Sequence, residues 1–347
     1  MIPATNDPQQ NSPRQKKKPT VSIATKRHKR HNRSDNQPMP DFSYSGHETF
    51  SLRISWLPKA VAAISNGQNP FSDPRKGMEI LGIGKNMVQS LAFWVQATGV
   101  VTKSESLGLA TTPFGEIIFN RESGKDPYLE NTQTLWLLHW NLCQGWKEGD
   151  RHRRPYAWHY FVNVLRDDEI TMTETVDHFA GAPNPSGREL SGVTLRQHFD
   201  VFLRTYVDGE SSGPRAVPEE TLDSPLTPLR LIRPYSERKL ASGRREPTYR
   251  IQTGPKPSLS PQTFRYCLDE WWENNYPNEN ALTIRQIALD DDSPGRVFRL
   301  PEGSIHDLMV LLAKEYPKEL AIIDSRSQRS VQRLQKPKSP LPAIYKA

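Results

Sequence analysis

Three segments of the chain repeat one order of elements, and that order restricts the fold more than any other feature. Each begins with a short helical stretch, turns into an amphipathic helix, and ends in a β-rich tail. The amphipathic helices start near Lys85, Thr194 and Ser304, an interval of close to 110 residues. No residue-level repeat accompanies it, so the likeness is one of architecture. Such a chain is expected to be mainly α with small β-hairpins, an α+β fold of tandem winged-helix-like modules. The expected divisions are 1–40, a disordered basic arm, then modules over 41–165, 166–258 and 259–347.

The first module shows the pattern most clearly. "GIGKN" gives a tight turn through Gly82 and Gly84. Met87, Val88, Leu91, Trp94 and Val95 then fall on one helical face, and Gly99 can end the helix. Lys85, Asn86 and Gln89 lie on the other face. "VVTKS" and "LATTP" read as a hairpin. In a winged helix the second helix enters a major groove, where Asn and Gln suit bidentate contact with adenine. "GIGKN" is not a phosphate loop. Glu79 stands where the first glycine is required and Asn86 replaces Ser or Thr, so no nucleotide cofactor is expected.

"DPYLENTQTLWLLHWNLCQGW" follows, an apolar helix capped by Asn131 or Thr132. His139 within it reads as a hydrogen-bonded core histidine. In the second module Leu195, Phe199, Phe202, Leu203 and Tyr206 form the buried stripe. Arg196 and Gln197 face away and are candidates for base contact. Two strands follow around a charged loop, "YSERKLASGRRE", with Arg244 and Arg245 placed for phosphates. The third module opens with a Ser-capped helix after "GPKPSLSP". "SIHDLMVLLAKEYP" has Ser304 and Asp307 spaced like a capping box, and "ELAIIDSRSQRSVQRL" reads as a closing hairpin. Between these, Asp290, Asp291 and Asp292 read as a solvated helix end, with a hard cation as the lesser alternative. Ser293 to Arg296 form a turn able to face a phosphate, which adds Arg296 to the candidate DNA contacts.

Charge is unevenly placed. Residues 1–40 hold nine Lys or Arg against Asp7 and Asp35, which accounts for the whole net charge of +7. A polycationic arm of this kind has two readings: contact with nucleic-acid phosphate by counterion release, or a solubilising extension with no specific target. Only 35% of the residues are apolar and 30 are Pro, which fits a soluble chain with many connections. There is no apolar run long enough for a membrane span and no apolar segment in "MIPATNDPQQ", so a cytoplasmic location is expected. Cys143 and Cys267 read as buried thiols.

Spacing alone names no catalytic site. His-Glu-x-x-His and Gly-x-Ser-x-Gly are both missing. The polar run "FSYSGHETFSLR" remains. One reading makes Ser45 or Gly46 the start of a helix, with Glu48 at its positive end and His47 positioning it. The other makes His47, Glu48 and Arg53 a polar pocket, His as acid or base and Arg on a phosphate. The residues alone favour the first.

"FSYSGHETFSLR", "LGIGKNMVQSLAFW", "DPYLENTQTLWLLHW", "LDSPL", "GPKPSL" and "SPGRVFRL" together carry a resemblance covering Phe42 to the C-terminus. The chain resembles a prokaryotic domain-of-unknown-function family of DNA phosphorothioation islands. That family is similar to the B component of single-strand, Ssp-type systems, a DNA-nicking subunit. The family pattern is Phe-Ser-Gly-His-Glu-Thr-Phe, so Tyr44 and Ser45 are an insertion here. The resemblance implies a role in sulfur modification of the DNA backbone or the defence built on it. The partners implied are DNA, an adenylylsulfate-reductase-like protein and an ATPase. A nickase of this kind would use Mg²⁺ or Mn²⁺, through ligands the sequence does not identify. On the matching motifs His47, Glu48 and Arg53 become the catalytic candidates, with His139 a weaker one. Lys85 and Asn86 become DNA contacts. A non-catalytic winged-helix DNA-binding adaptor and a transcription regulator are the alternatives.

Overall fold

Local signals start and stop most of the helices. The computed structural model describes Met1 and residues 42–104, 108–144, 154–182, 189–207, 224–325, 328–335 and 341–345. The expected basic arm lies outside them. In the first module, α1 spans Trp56–Ser65, α2 Pro74–Leu81 and α3 Lys85–Ala97. Asp73 caps α2 by accepting the Arg75 N–H at 3.0 Å, and Pro74 fills the first position, where no N–H is needed. Gly82, at φ 65°, ends α2 in the left-handed conformation that glycine adopts without penalty. β2 (Val101–Ser104) and β3 (Gly108–Thr111) form the expected antiparallel hairpin. α4 (Pro113–Phe119) is capped by Thr112.

α5 (Thr132–Gln144) is the core helix, buried nearly all round. Its start is fixed by Asn131, whose side chain accepts the Gln133 N–H at 2.8 Å. Next, β4 (Arg154–Pro155) pairs in parallel with β1 (Phe42–Ser43). α6 (Tyr156–His159) runs on into one turn of π-helix, Tyr160–Val164.

The second module has β5 (Glu169–Thr171), α7 (Met172–Ala180), α8 (Gly192–Tyr206), β6 (Ile232–Lys239) and β7 (Arg245–Ile251). The third has α9 (Pro261–Asn275), β8 (Ala281–Thr283), α10 (Ile284–Leu289), α11 (Pro294–Val297), α12 (Glu302–Glu315), β9 (Leu320–Asp324) and β10 (Arg329–Arg333). Their sheets follow one scheme, β5-β7-β6 and β8-β10-β9, antiparallel throughout. In each, the strand from before the helices pairs with the last strand of the hairpin. The result is an α+β fold in which helix predominates and the sheets are small.

The modules share a core. Trp158 lies edge-on to Trp94 of α3 and to Phe202 of α8, with ring centroids 5.8 and 5.1 Å apart. Trp140 of α5 stacks on Phe298 at 5.7 Å and donates its indole N–H to Glu270 of α9. From Pro40 onward the chain packs as one compact unit. No helix among the described residues is long and apolar enough to cross a membrane.

Four local expectations are corrected. No helix starts at Ser45 or Gly46: Gly46 (φ 107°) and Glu48 (φ 52°) both take left-handed backbone, and the first helix begins at Trp56. The Ser304–Asp307 capping box does not form, because α12 begins at Glu302 and Ser304 lies inside its first turn. The charged loop of the second module is mostly strand, paired from Ser236 to Lys239 with Arg245 to Thr248, leaving only 240–244 as the turn. Asp292 is not solvated, because Arg154 and Asn163 both donate to its carboxylate.

Candidate nucleic-acid interface

Each of the three candidate helices shows a different degree of exposure. α3 buries Val88, Leu91, Trp94 and Val95 and leaves Lys85, Asn86 and Gln89 exposed at its first two turns. These three side chains make no hydrogen bond or ion pair with another described residue. Arg75 and Lys76, on the preceding α2, are also exposed. α12 presents an outer face that is largely acidic, with Glu302, Asp307 and Glu315 exposed.

α8 is sunk along most of its length, with Leu195, His198, Phe199, Phe202 and Tyr206 in the core. Arg196 is exposed, but Gln197 is turned inward. Its amide donates to the Glu48 carbonyl at 2.6 Å, and Arg204 donates to the Thr49 carbonyl at 2.6 Å. α8 therefore grips the Gly-His-Glu-Thr loop. α3 holds the same loop from another side, through Ser90 Oγ–H to the His47 carbonyl (2.8 Å) and the Trp94 indole to the Phe50 carbonyl (3.2 Å). Gly46 is required here, since a Cβ would stand 3.0 Å from the Phe93 ring.

His47 lies at the centre of this clasp, 1% exposed. Its Nε2 is 2.8 Å from His198 Nδ1, and its Nδ1 is 2.8 Å from the Glu48 carbonyl. The Ala157 N–H can only donate, and it points at His198 Nε2 at 3.0 Å. His198 therefore carries its proton on Nδ1 and gives it to His47 Nε2. His47 in turn carries its proton on Nδ1 and gives it to Glu48. All four ring nitrogens are satisfied with both rings neutral. Burial holds His47 down at about 4, helped by the Arg204 charge, and holds His198 well below the ordinary histidine value. Glu48 is half-buried, and Arg53 stands over the Trp56 and Phe50 rings, 5.5 and 5.9 Å from their centroids. Tyr44 is buried and stacks on Tyr156 at 4.8 Å.

His139 is a second satisfied histidine. It donates from Nε2 to the Val297 carbonyl (2.9 Å) and accepts the Tyr206 hydroxyl on Nδ1 (2.7 Å). Tyr206 accepts the Trp158 indole N–H at 2.8 Å. Burial lowers His139 to about 4 as well.

The carboxylates of Asp290, Asp291 and Asp292 turn to separate partners. Asp290 accepts the Tyr276 hydroxyl at 2.5 Å, and Asp291 pairs with Arg296 at 3.3 Å. Asp292 accepts from Arg154 at 2.6 Å and from the Asn163 amide at 2.7 Å, and its carbonyl accepts Gln144. Burial pushes the Asp292 carboxyl up, but Arg154 and Asn163 outweigh it and hold the group below the usual range. Arg296 also donates to the Asn163 and Leu289 carbonyls, so it stitches α11 to the π-turn. No group of three or more His, Cys, Asp or Glu converges among the described residues. Three carboxylates turned to separate partners do not fit a resident Mg²⁺ or Mn²⁺, which needs several oxygens around one point.

Sequence reasoning missed His198, Arg154 and Asn163. His198 reaches its partner across 151 residues, and Arg154 reaches Asp292 across 138. Neither pair has a spacing that could announce it.

The class these features define is an α+β protein in which helix predominates, with small sheets and a buried histidine pair inside the fold. The chain belongs to the family described as "Protein of unknown function (DUF4007)", whose model matches residues 44–345. No curated protein matches it. Among solved structures it is similar to a crystal structure of SspB, at 20% identity and TM-score 0.70, covering 85% of this chain and 84% of that one. It is also similar to a magnesium ion-bound SspB crystal structure, at 22% identity and TM-score 0.70, covering 87% and 92%. At these identities the likeness concerns the fold.

Proposed function

We propose that this chain is a DNA-binding protein of a bacterial phosphorothioation system and that it reads duplex DNA with the first turns of α3. The observation that carries this is the outward face of Lys85, Asn86 and Gln89, exposed and engaged with nothing else described. Lys suits a phosphate, and Asn and Gln suit an adenine edge. The element order around α3, helix-turn-helix then hairpin, is that of a winged helix, and the matching strand order of the other two modules supports reading them likewise. Arg196 is a further contact. Gln197 and Arg296 position the loop and the π-turn and are not proposed as contacts.

The likeness to SspB supports the phosphorothioation setting, with an adenylylsulfate-reductase-like protein and an ATPase as partners. In its fuller form the reading has the protein nick one strand, so that the partner enzyme gains access to the backbone for sulfur insertion. His47, Glu48 and Arg53 are then the residues to test. A non-catalytic adaptor is the second reading. It is favoured by the state of His47, whose two ring nitrogens are both engaged inside the fold.

Binding is tested with a short duplex by fluorescence anisotropy across a salt series. The combined variant K85E/N86A/Q89A should bind at least about tenfold more weakly, since one good side-chain–base pair is worth roughly 1–3 kcal/mol. Undiminished affinity would remove α3 from the interface. Conversion of supercoiled plasmid to open circle by the purified protein, with Mg²⁺ and with chelator, separates nickase from adaptor.

A further inference from the structure

A second surface of the first module is built for a different form of the same ligand. A cleft of about 390 Å³ lies between the start of α1 and the segment after α4. That volume is within the range of small-molecule sites, about 300–1,000 Å³. Its lining includes Ile54, Pro58, Phe119 and Tyr128, and Tyr128 keeps 66% of its surface exposed. Lys59 and Arg121 also line it; both are exposed and neither forms an ion pair with another described residue. No carboxylate among the described residues lines the cleft. The site thus offers an open aromatic face, an apolar wall and two uncompensated cations. A planar apolar group joined to an anion satisfies all three.

We infer that this cleft binds an unpaired nucleotide of a DNA strand, its base stacked on Tyr128 and its phosphate held by Lys59 and Arg121. A duplex hides its base faces, so it can offer the cations a phosphate but cannot give Tyr128 a ring. A free strand offers both at every residue, and aromatic platforms beside cationic side chains are how proteins hold single strands. An acidic peptide would meet the cations but leave the aromatic face and apolar wall empty. The inference rests on the DNA-binding reading and deepens it: α3 takes the duplex, and the Tyr128 cleft takes a strand that has left it.

The test measures binding of a fluorescent oligo-dT and of a duplex of equal length to the full chain and to three variants. Tyr128→Ala should weaken oligo-dT binding about tenfold and leave the duplex affinity unchanged. Tyr128→Phe, which keeps the ring, should restore the oligo-dT affinity. Arg121→Ala should lower the slope of log K against log salt for oligo-dT by about 0.7, one phosphate contact. Tyr128 is exposed, so its loss should not affect folding, and an unchanged melting temperature checks that. Oligo-dT binding untouched by Tyr128→Ala, or an equal loss for strand and duplex, overturns the proposal. If the duplex binds and oligo-dT does not, the strand site fails while the DNA-binding reading stands. If neither binds, both fail.

Discussion

At the scale of single residues, the His47–His198 pair shows how burial and hydrogen bonding fix a protonation state. The Ala157 N–H sets the tautomer of His198, and that sets the tautomer of His47. A further proton on either ring would face a donor or lose an acceptor. The folded protein therefore resists protonation where an unfolded chain accepts it, near pH 6.5. The native value is the lower one, so the unfolded state binds more protons below pH 6.5. Stability from His47 is complete above about 6.5 and is lost as the pH falls towards about 4. His139 acts in the same window, and His198 acts in the same direction. Each such group adds a slope of up to about 1.4 kcal/mol per pH unit within its window. Urea unfolding midpoints should therefore drop steeply between pH 7 and 5. His47→Gln, which cannot take up the proton, should be less stable at pH 7 and show a shallower fall. A variant with the parental slope would mean that the clasp does not control the acid response.

At the scale of elements, the close approach of α2 and α3 places the outward face of α3. Gly77 makes that approach possible, because a Cβ there would lie 2.4 Å from the Pro70 carbonyl oxygen and 2.7 Å from Val88 Cγ1. One of those atoms is backbone of the connection before α2, so the added methyl must shift either α2 or that connection. Gly77→Ala should cost about 1–3 kcal/mol in chemical denaturation and, on the proposed reading, weaken duplex binding without removing any side chain of the outward α3 face. Parental stability would show that the helices have room to separate. The α3 unit was legible in the sequence because all its signals are local: the Gly82 turn, the 3.6-residue apolar spacing and the hairpin that follows. The α9 start was legible for the same reason, with Ser260 capping and Pro261 at the first position. The Gly-His-Glu-Thr loop was not legible. Its conformation is imposed by Ser90, Trp94, Gln197, His198 and Arg204, which lie between about 40 and 160 residues downstream. Gln197 sits on the polar face of its helix, where periodicity marks it as outward, and Arg296 falls in a segment that reads as a turn facing a phosphate, yet each finds a backbone carbonyl of another segment. Pattern distinguishes polar from apolar; it does not distinguish water from a distant carbonyl.

At the scale of the whole chain, charge and shape are assigned to different parts. All of the net charge of +7 is carried by residues 1–40, and Lys/Arg balance Asp/Glu over the rest. A neutral body has little long-range attraction for DNA, whereas nine cations in forty residues attract any duplex regardless of sequence. The two contributions separate experimentally. Deleting residues 1–40 should weaken binding to all duplexes alike. It should also flatten the dependence of log K on log salt by about 0.9 for each phosphate that the arm neutralises. It should leave the unfolding midpoint unchanged, since the compact unit begins at Pro40. Asn86→Ala in the full chain should do the reverse, keeping the salt slope and narrowing the difference between adenine-containing sites and others. A truncated chain with the parental slope would show that the N-terminal cations do not touch DNA. On the proposed reading, the affinity of the full protein for a duplex would then have to come from the exposed side chains of α3 and from Arg196.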